Sequence, residues 1–333
     1  MILYVFGRES RFVAIDRDAL RERHEVVDWT GKHPVKHLVA TARQVRHADV
    51  VVCWFAGYQA LAPVTLAWLT RRPTVVITGG YDVASVPEAG YGMQRSFSGR
   101  LVSRWILRRA TRVMANSEFG REEALRAVPK IAPKTSVVHH GVPDLVGREP
   151  SYEPRTGALT VSVIDVANLE RKGLLPFVRA ARELPDVTFF LVGGVVEPEA
   201  EVRLRAEAPP NVTITGRLSD EDLAIAYAGA AAYVQASLHE GFGMAVAEAM
   251  LAGAVPVVSP VGALPEVVGD AGIVVGRQDL ADGIRRALAA TPADRRRARE
   301  RVLSHFTLAQ RGEGLRAVVD SAISGHTGAA RES

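Results

Sequence analysis

Residues 232–250 have the sequence AYVQASLHEGFGMAVAEAM, which joins an apolar run to a helical run through two glycines. The apolar residues Ala232–Gln235 predict a strand, Gly241 and Gly243 predict a turn, and the helix-forming residues from Met244 onward predict a helix. The first N–H groups of a helix have no acceptor within it, so such a turn attracts anions. This stretch therefore predicts an α/β domain with a phosphate-binding turn.

Comparable apolar runs recur along the whole chain, rich in Val and Ile and without polar alternation. Such runs predict strands that helices cover on both faces, as in parallel sheets. Their alternation with helical patterns predicts right-handed βαβ units. The predicted strands are Ile2–Phe6, Val50–Phe55, Thr74–Thr78, Val113–Ala115, Ser136–His139, Leu159–Ile164, Val187–Val192, Val212–Thr215, Ala232–Gln235, Val255–Ser259 and Gly272–Val275.

A break between the two sets of strands lies at Gly141–Asp144, where glycine and proline interrupt the pattern. We expect two Rossmann-like, doubly wound parallel-sheet domains that face a cleft, one over residues 1–145 and one over residues 146–325. Ligands of such sheets bind beyond the carboxyl ends of the strands. The small, polar residues 326–333 are expected to be a disordered tail.

The composition fits two such domains and excludes several other classes. The chain has 333 residues, 47% of them hydrophobic and 23% charged. Its single cysteine, Cys53, excludes an internal disulfide framework and a thiolate metal cluster. No apolar run reaches the length of a membrane-spanning helix, and the N-terminus lacks the basic region of a signal peptide, so we expect a cytoplasmic protein.

The net charge is unevenly distributed between the halves, at +8 in residues 1–145 and −4 in the remainder. A basic half indicates an acidic partner or surface, and an ordinary solvated surface is the alternative. The stretch Arg95–Arg112 contains six arginines and no acidic residue. A helix with such a stripe can lie on an anionic membrane, or it can pack on the sheet with its arginines in water.

Two carboxylates, Glu240 and Glu248, flank the predicted turn. From these residues alone, a capped helix with incidental acids remains an alternative. The longer pattern is more specific, because it continues through Ala252–Val258 and Gly262–Val268 and is preceded by Leu191–Gly194 and Val212–Ser219. Over about residues 159–275 the chain resembles the retaining family-4 glycosyltransferases of the GT-B fold.

The resemblance implies a nucleoside-diphosphate sugar as donor, bound by the second domain. It implies that Glu240 holds sugar hydroxyls and takes part in catalysis, and that Glu248 holds the ribose. The main chain of the turn would bind the diphosphate and the sugar, through Gly241, Phe242, Gly243 and Met244. The nucleobase would contact Gly216, Arg217 and Leu218.

The segment Asn168–Gly173 adds a cation to this site. Lys172 resembles the family lysine that neutralises the donor diphosphate and stabilises the departing nucleoside diphosphate. The family usually has Gly-Arg a few residues earlier, whereas this chain has Asp165-Val166-Ala167 there. Arg171 is the candidate that replaces the missing arginine. The alternative is an exposed, basic helix start.

The first domain would bind the acceptor. Its candidates are Gly80, Tyr81 and Asp82, just after a predicted strand, where many family members place a histidine that this chain lacks. Asp82 is a candidate catalytic residue, and a tight turn formed around Asp82 is the alternative. The acidic triplet Asp16-Arg17-Asp18 is expected on a helix surface.

We therefore expect an enzyme that transfers a sugar to the hydroxyl of a glycan, lipid-linked or small-molecule acceptor, with retention of configuration. We expect no metal, since Lys172 and backbone N–H groups supply positive potential, and no cofactor or nucleic-acid partner. Two alternatives are a nucleotide-sugar epimerase of the same fold and a non-catalytic nucleotide-sugar binding protein.

Overall fold

A computed structural model describes residues 1–30, 38–153 and 155–329 of the chain. The chain divides into two compact units, one made of Met1–Gly141 and the segment from Leu308 onward, the other of Val142–Thr307. Over the described residues each unit has one parallel six-stranded sheet. The predicted α/β class with two Rossmann-like domains is thereby confirmed.

The first unit has the strand order β2-β1-β3-β4-β5-β6. Its strands are β1 (Ile2–Phe6), β2 (Val26–Thr30), β3 (Val50–Trp54), β4 (Thr74–Thr78), β5 (Arg112–Ala115) and β6 (Thr135–Val137). The helices between them are α1 (Arg11–Arg21), α2 (Leu38–His47), α3 (Tyr58–Leu69), α4 (Phe97–Arg109) and α5 (Glu118–Ala127). Short 3₁₀ segments occur at Pro87–Ala89, Met93–Arg95 and Pro129–Lys134.

The central strands of this sheet are buried, as their apolar composition predicts. Every residue of β1, β3 and β4 is buried. Alternate residues of β1 enter different core clusters, with Leu3 and Val5 on the side of α2 to α5 and Ile2 and Tyr4 on the side of α1. Strand β2 was not predicted, because it is a partly exposed edge strand whose composition mixes polar with apolar residues.

The second unit has the order β12-β11-β10-β7-β8-β9. Its strands are β7 (Thr156–Val161), β8 (Phe189–Val192), β9 (Val212–Gly216), β10 (Ala230–Gln235), β11 (Val255–Val258) and β12 (Ile273–Val274). Its helices are α6 (Val166–Arg171), α7 (Leu174–Ala181), α8 (Pro198–Glu207), α9 (Asp220–Gly229), α10 (Met244–Leu251), α11 (Leu264–Val268), α12 (Leu280–Leu288) and α13 (Pro292–His305), with 3₁₀ segments at Gly269–Ala271 and Arg277–Asp279. All pairings within this sheet are parallel, so the loops after β7, β8, β9 and β10 leave the same edge.

The last helix, α14 (Leu308–Ala329), belongs to the first unit, although the sequence assigned residues up to 325 to the second. Its apolar side chains Leu315 and Val319 join the core cluster of β1 and α1. Arg311 forms a buried ion pair with Asp16, at 2.6 Å between Nη2 and Oδ2. Residues 326–329, expected in a disordered tail, are helical, and residues 330–333 lie outside the described residues.

The ion pair between Asp16 and Arg311 shows that the surface position expected for Asp16 was wrong. Asp16 is buried rather than on the surface, with both carboxylate oxygens bound by the Arg311 guanidinium. The same guanidinium donates to Asn116 Oδ1 at 3.1 Å and to a backbone carbonyl. A helical pattern cannot reveal this partner, since 295 residues separate the two side chains in sequence.

Candidate active site

The turn between β10 and α10 has the conformation that its glycines predict. Gly243 is the N-terminal cap of α10 at φ 105°, a left-handed conformation that side chains other than glycine's rarely adopt. Gly262 closes against the turn, since a Cβ there would lie 2.3 Å from the carbonyl oxygen of Glu240. That oxygen accepts the backbone N–H of Ala263 at 2.9 Å. The backbone of Glu240 is therefore held against the segment that contains Gly262 and Ala263.

Lys172 lies beside this turn because two loops approach closely. It follows α6 at the carboxyl end of β7, which is the neighbour of β10. Gly173, at φ 75°, permits the approach, since a Cβ there would lie 2.1 Å from the carbonyl oxygen of Ala236. The backbone N–H of Leu238 donates to the carbonyl of Arg171 at 2.8 Å. Lys172 is thus held on a loop tied to that of Glu240.

The two side chains meet as an ion pair, with 2.5 Å between Lys172 Nζ and Glu240 Oε2. Their side chains are 21% and 14% exposed, so both charges are partly withdrawn from water while one edge stays accessible. A cation in such a place acts more strongly on a neighbouring anion than it would in bulk water. Sixty-eight residues separate the pair in sequence, and the fold brings the two side chains together.

Glu248 lies on α10, partly buried, and accepts the hydroxyl of Tyr227 at 3.0 Å between Oη and Oε2. Tyr227 is a fully buried residue of α9 whose ring lies 5.9 Å from that of Tyr233. The hydrogen bond holds one carboxylate oxygen in place, so the buried Tyr227 sets the orientation of the Glu248 side chain. Tyr227 could not be predicted from the sequence, because nothing in a short Ala-rich helix distinguishes a positioning tyrosine from a packing one.

Arg171 is oriented along its own helix. Its guanidinium donates to Asn168 Oδ1 at 2.5 Å. Asn168 in turn donates to the carbonyl of Val163 and to Asp165, and Asp165 caps α6 by accepting the N–H of Asn168 at 2.7 Å. Asp165, which stands where family members have Gly-Arg, is therefore a helix cap. Arg171 remains a candidate diphosphate contact.

The candidate nucleobase contacts follow β9 at the same edge of the sheet. Gly216 has φ 75°, and its carbonyl accepts the N–H of Gly193, which follows β8, at 2.9 Å. Arg217 is exposed, whereas Leu218 packs against the core cluster that contains Val246 of α10. Main-chain groups are thus the accessible part of this segment, together with the Arg217 side chain. Phe242 is buried as well.

In the first unit, Asp82 is enclosed rather than presented to a substrate. Its side chain is fully buried, and its two oxygens accept the backbone N–H groups of Ala56 and Gly79 at 2.8 and 3.0 Å. Burial raises the pKa of Asp82 to about 6, against the lowering effect of these hydrogen bonds. The geometry fits the turn-forming alternative, in which Asp82 ties together the loops after β3 and β4. Gly80, at φ 102°, is part of that turn, and Tyr81 is exposed.

Among residues 1–30, 38–153 and 155–329, no group of three or more His, Cys, Asp and Glu side chains has an arrangement that would hold a metal ion. Across the same ranges, no helix combines the length and the apolar character needed to cross a membrane.

Two units, each with one parallel six-stranded sheet, have the architecture of the GT-B fold. The chain contains a glycosyl transferases group 1 domain, since residues 160–290 match that family. The structure of HepE from Anabaena in complex with UDP and glucose superimposes with a TM-score of 0.79 at 19% identity, over 96% of this chain and 99% of that one.

Curated relatives support the same assignment. Alpha-maltose-1-phosphate synthase of Mycobacterium tuberculosis is 30% identical over 247 residues, which are 67% of this chain and 62% of that protein. O-antigen chain mannosyltransferase B of Escherichia coli is 49% identical over 65 residues, 20% of this chain and 17% of that protein. The chain thus spans less than two thirds of the length of these relatives.

Proposed function

We propose that the chain is a glycosyltransferase that moves a sugar from a nucleoside-diphosphate sugar to an acceptor hydroxyl. The observation that carries this proposal is the Lys172–Glu240 ion pair next to the N-terminus of α10. The pair combines a cation that can bind a diphosphate with a carboxylate that can bind sugar hydroxyls. The two groups are close enough together to contact the same nucleoside-diphosphate sugar. HepE was solved with UDP and glucose, which supports a UDP-sugar as the first donor to test.

In the proposed reaction the acceptor hydroxyl oxygen bonds to the anomeric carbon while the bond from that carbon to the diphosphate oxygen breaks. The hydroxyl proton passes to the departing diphosphate, on which negative charge has accumulated. Lys172 and the first N–H groups of α10 stabilise that charge, because they are fixed in place before the reaction starts. The Glu240 carboxylate stays paired with Lys172 and accepts hydrogen bonds from the sugar through its remaining lone pairs. Glu248, oriented by Tyr227, accepts those of the ribose.

No metal is needed in this scheme, since the positive potential comes from Lys172, Arg171 and the main chain. Retention of configuration and membership of family 4 are also proposed, on the resemblance of residues 159–275. Gly80 and Tyr81 stay candidates for acceptor contact. For Asp82 we propose a positioning role in the turn that carries them.

The acceptor is proposed to be a glycan, a lipid-linked sugar or a small molecule. We further propose a cytoplasmic enzyme that contacts an anionic membrane through the segment Arg95–Arg112. Six arginines and the lack of acidic residues in that segment support the contact.

The proposal is tested in two steps. A thermal-shift screen of UDP, GDP, ADP and CDP sugars identifies the donor, since a ligand that binds only the folded state raises the midpoint of unfolding. Release of the nucleoside diphosphate is then measured with and without glycan and lipid acceptors, and NMR gives the anomeric configuration of the product. Acceptor-dependent release of diphosphate supports the transferase. Conversion of the donor to an epimer without acceptor would identify an epimerase instead.

A further inference from the structure

One outer side of the first unit is formed by α2, α3 and α4. These helices cover the same side of the sheet, because their buried residues Val45, Ala60 and Ile106 belong to one core cluster. Over their described lengths, none of the three helices contains an aspartate or a glutamate. We call the solvent-facing surface of α2, α3 and α4 the basic helical face.

Side-chain contacts hold α3 and α4 next to each other along their length. At one end the Tyr58 hydroxyl donates to Ser98 Oγ at 3.0 Å. Further along, Trp105 Nε1 donates to Thr65 Oγ1 at 3.0 Å, and the rings of Trp68 and Trp105 meet edge to face at 5.9 Å. The outward residues of the two helices therefore share one continuous surface.

That surface exposes several large apolar side chains. Val39 of α2 is 86% exposed, Leu69 of α3 is 64% exposed, and Phe97 and Leu101 of α4 are 72% and 56% exposed. Single exposed apolar residues are ordinary, but large ones on three adjacent helices indicate an interaction surface. Trp68, 42% exposed, adds an indole of the kind that is enriched at membrane–water interfaces.

Arginines are interspersed among these apolar side chains. Arg100 and Arg108 of α4 and Arg43 and Arg46 of α2 are exposed. The guanidinium of Arg109 lies over two tryptophan rings, 4.0 Å from the centroid of Trp68 and 4.6 Å from that of Trp105. Stacked in this way, a guanidinium keeps its charge at the surface while its apolar neighbours remain available.

We propose that the basic helical face docks on an anionic lipid bilayer as one three-helix surface. Apolar side chains of all three helices enter the boundary between headgroups and acyl chains, and the arginines of α2 and α4 contact lipid phosphates. The inference extends the proposed contact of Arg95–Arg112 to α2 and α3. It does not depend on sugar transfer, because lipid binding is measured without any donor or acceptor.

The attraction between the arginines and the anionic lipids sets how much vesicle binding is lost when arginines are replaced. Each basic residue close to an anionic leaflet contributes about 1 kcal/mol, so removing two lowers the partition coefficient roughly thirtyfold. The effect weakens with salt, since exposed charges are screened over about 10 Å at 0.1 M ionic strength.

The test is co-sedimentation of the full chain with vesicles of phosphatidylglycerol and phosphatidylcholine, compared with phosphatidylcholine alone. The variant R43E/R46E changes α2 and leaves Arg95–Arg112 intact, and R100E/R108E changes α4. The matched control R203E/R286E makes the same change of net charge on exposed arginines of the second unit. Both face variants should bind anionic vesicles at least roughly thirtyfold less, because each substitution removes a positive charge and adds a negative one, while the control binds as the unmodified chain does.

Insertion is measured separately on the unmodified chain, so the test survives a variant that does not fold. Brominated lipids should quench tryptophan fluorescence, and the quenching should fall in Trp68→Phe. Equal binding to neutral and anionic vesicles, or no quenching, would overturn the docking surface. Loss of binding in R100E/R108E alone would leave the Arg95–Arg112 contact standing and overturn its extension to α2. Self-association without vesicle binding would identify a second copy of the chain as the occupant.

Discussion

Replacing Lys172 by methionine removes the ammonium and keeps a side chain of similar length. In the structure the ammonium lies 2.5 Å from a Glu240 oxygen, with only 21% of the Lys172 side chain exposed. If the cation stabilises the departing diphosphate, its loss must slow the step in which that charge develops. Donor binding should change less, because Glu248 and the main chain of the turn remain.

The expected loss of rate in Lys172→Met follows from the partial burial of the Lys172–Glu240 ion pair. Two unit charges about 4 Å apart interact by about 4 kcal/mol at the effective dielectric constant of a protein surface. Loss of one fixed transition-state contact typically costs about 3 kcal/mol, or roughly a hundredfold in rate. We therefore expect kcat of Lys172→Met to fall about a hundredfold.

The assay is single-turnover release of nucleoside diphosphate with saturating donor and acceptor. Lys130→Met is the matched control, since Lys130 is an exposed lysine of the first unit. Circular dichroism and the thermal midpoint establish that the Lys172 variant is folded. Unchanged kcat in Lys172→Met would refute the role assigned to the ammonium, and so would a loss expressed only in KM.

Further outcomes are expected elsewhere in the chain. Tyr227→Phe should weaken donor binding several-fold with little effect on kcat, because it frees Glu248 to rotate; calorimetric titration measures this, and an unchanged Kd would contradict it. Relative to Asp82→Asn, the unmodified chain should lose about 2 kcal/mol of unfolding free energy as pH rises from 4 to 7, because folding raises the pKa of this carboxyl from 3.8 to about 6; urea denaturation across that range checks it, and a flat difference between the two proteins would count against it. Arg311→Met should destabilise the first unit by about 3–5 kcal/mol, since it leaves the Asp16 charge buried without a partner, and the double variant with Asp16→Leu should recover part of the loss. Activity should survive EDTA, and loss of activity that Mn²⁺ or Mg²⁺ restores would show that a metal takes part.

Buried parallel strands were the most predictable part of the fold. Strands such as β1, β3 and β4 consist of apolar residues because both faces are covered, and composition alone reveals that. Strand β2 lies at the sheet edge, half exposed, so its residues carry no comparable pattern. The position of α14 was also beyond the sequence, because a helical pattern shows that a face is apolar and not which sheet it covers.

The candidate site could be predicted from the sequence where its residues lie close together in one short motif. Gly243 and Glu240 belong to one short motif, and the left-handed glycine and nearby carboxylate are visible in the sequence. Gly262 and Tyr227 act through contacts across the fold, at a Glu240 carbonyl and a Glu248 carboxylate, so their roles required coordinates. For the buried Asp82, the sequence offered catalysis and turn formation as equal options, and burial now favours the second.

Isothermal titration of the chain with UDP, GDP, ADP and CDP sugars tests the central claim most directly, because it needs no acceptor. The account predicts saturable binding of one donor molecule per chain for at least one base, weakened at least tenfold in Glu248→Ala and unaffected in the exposed-lysine control Lys130→Met. Absence of binding for all four bases, or binding that Glu248→Ala leaves unchanged, would contradict the assignment of a nucleotide-sugar site to the second unit.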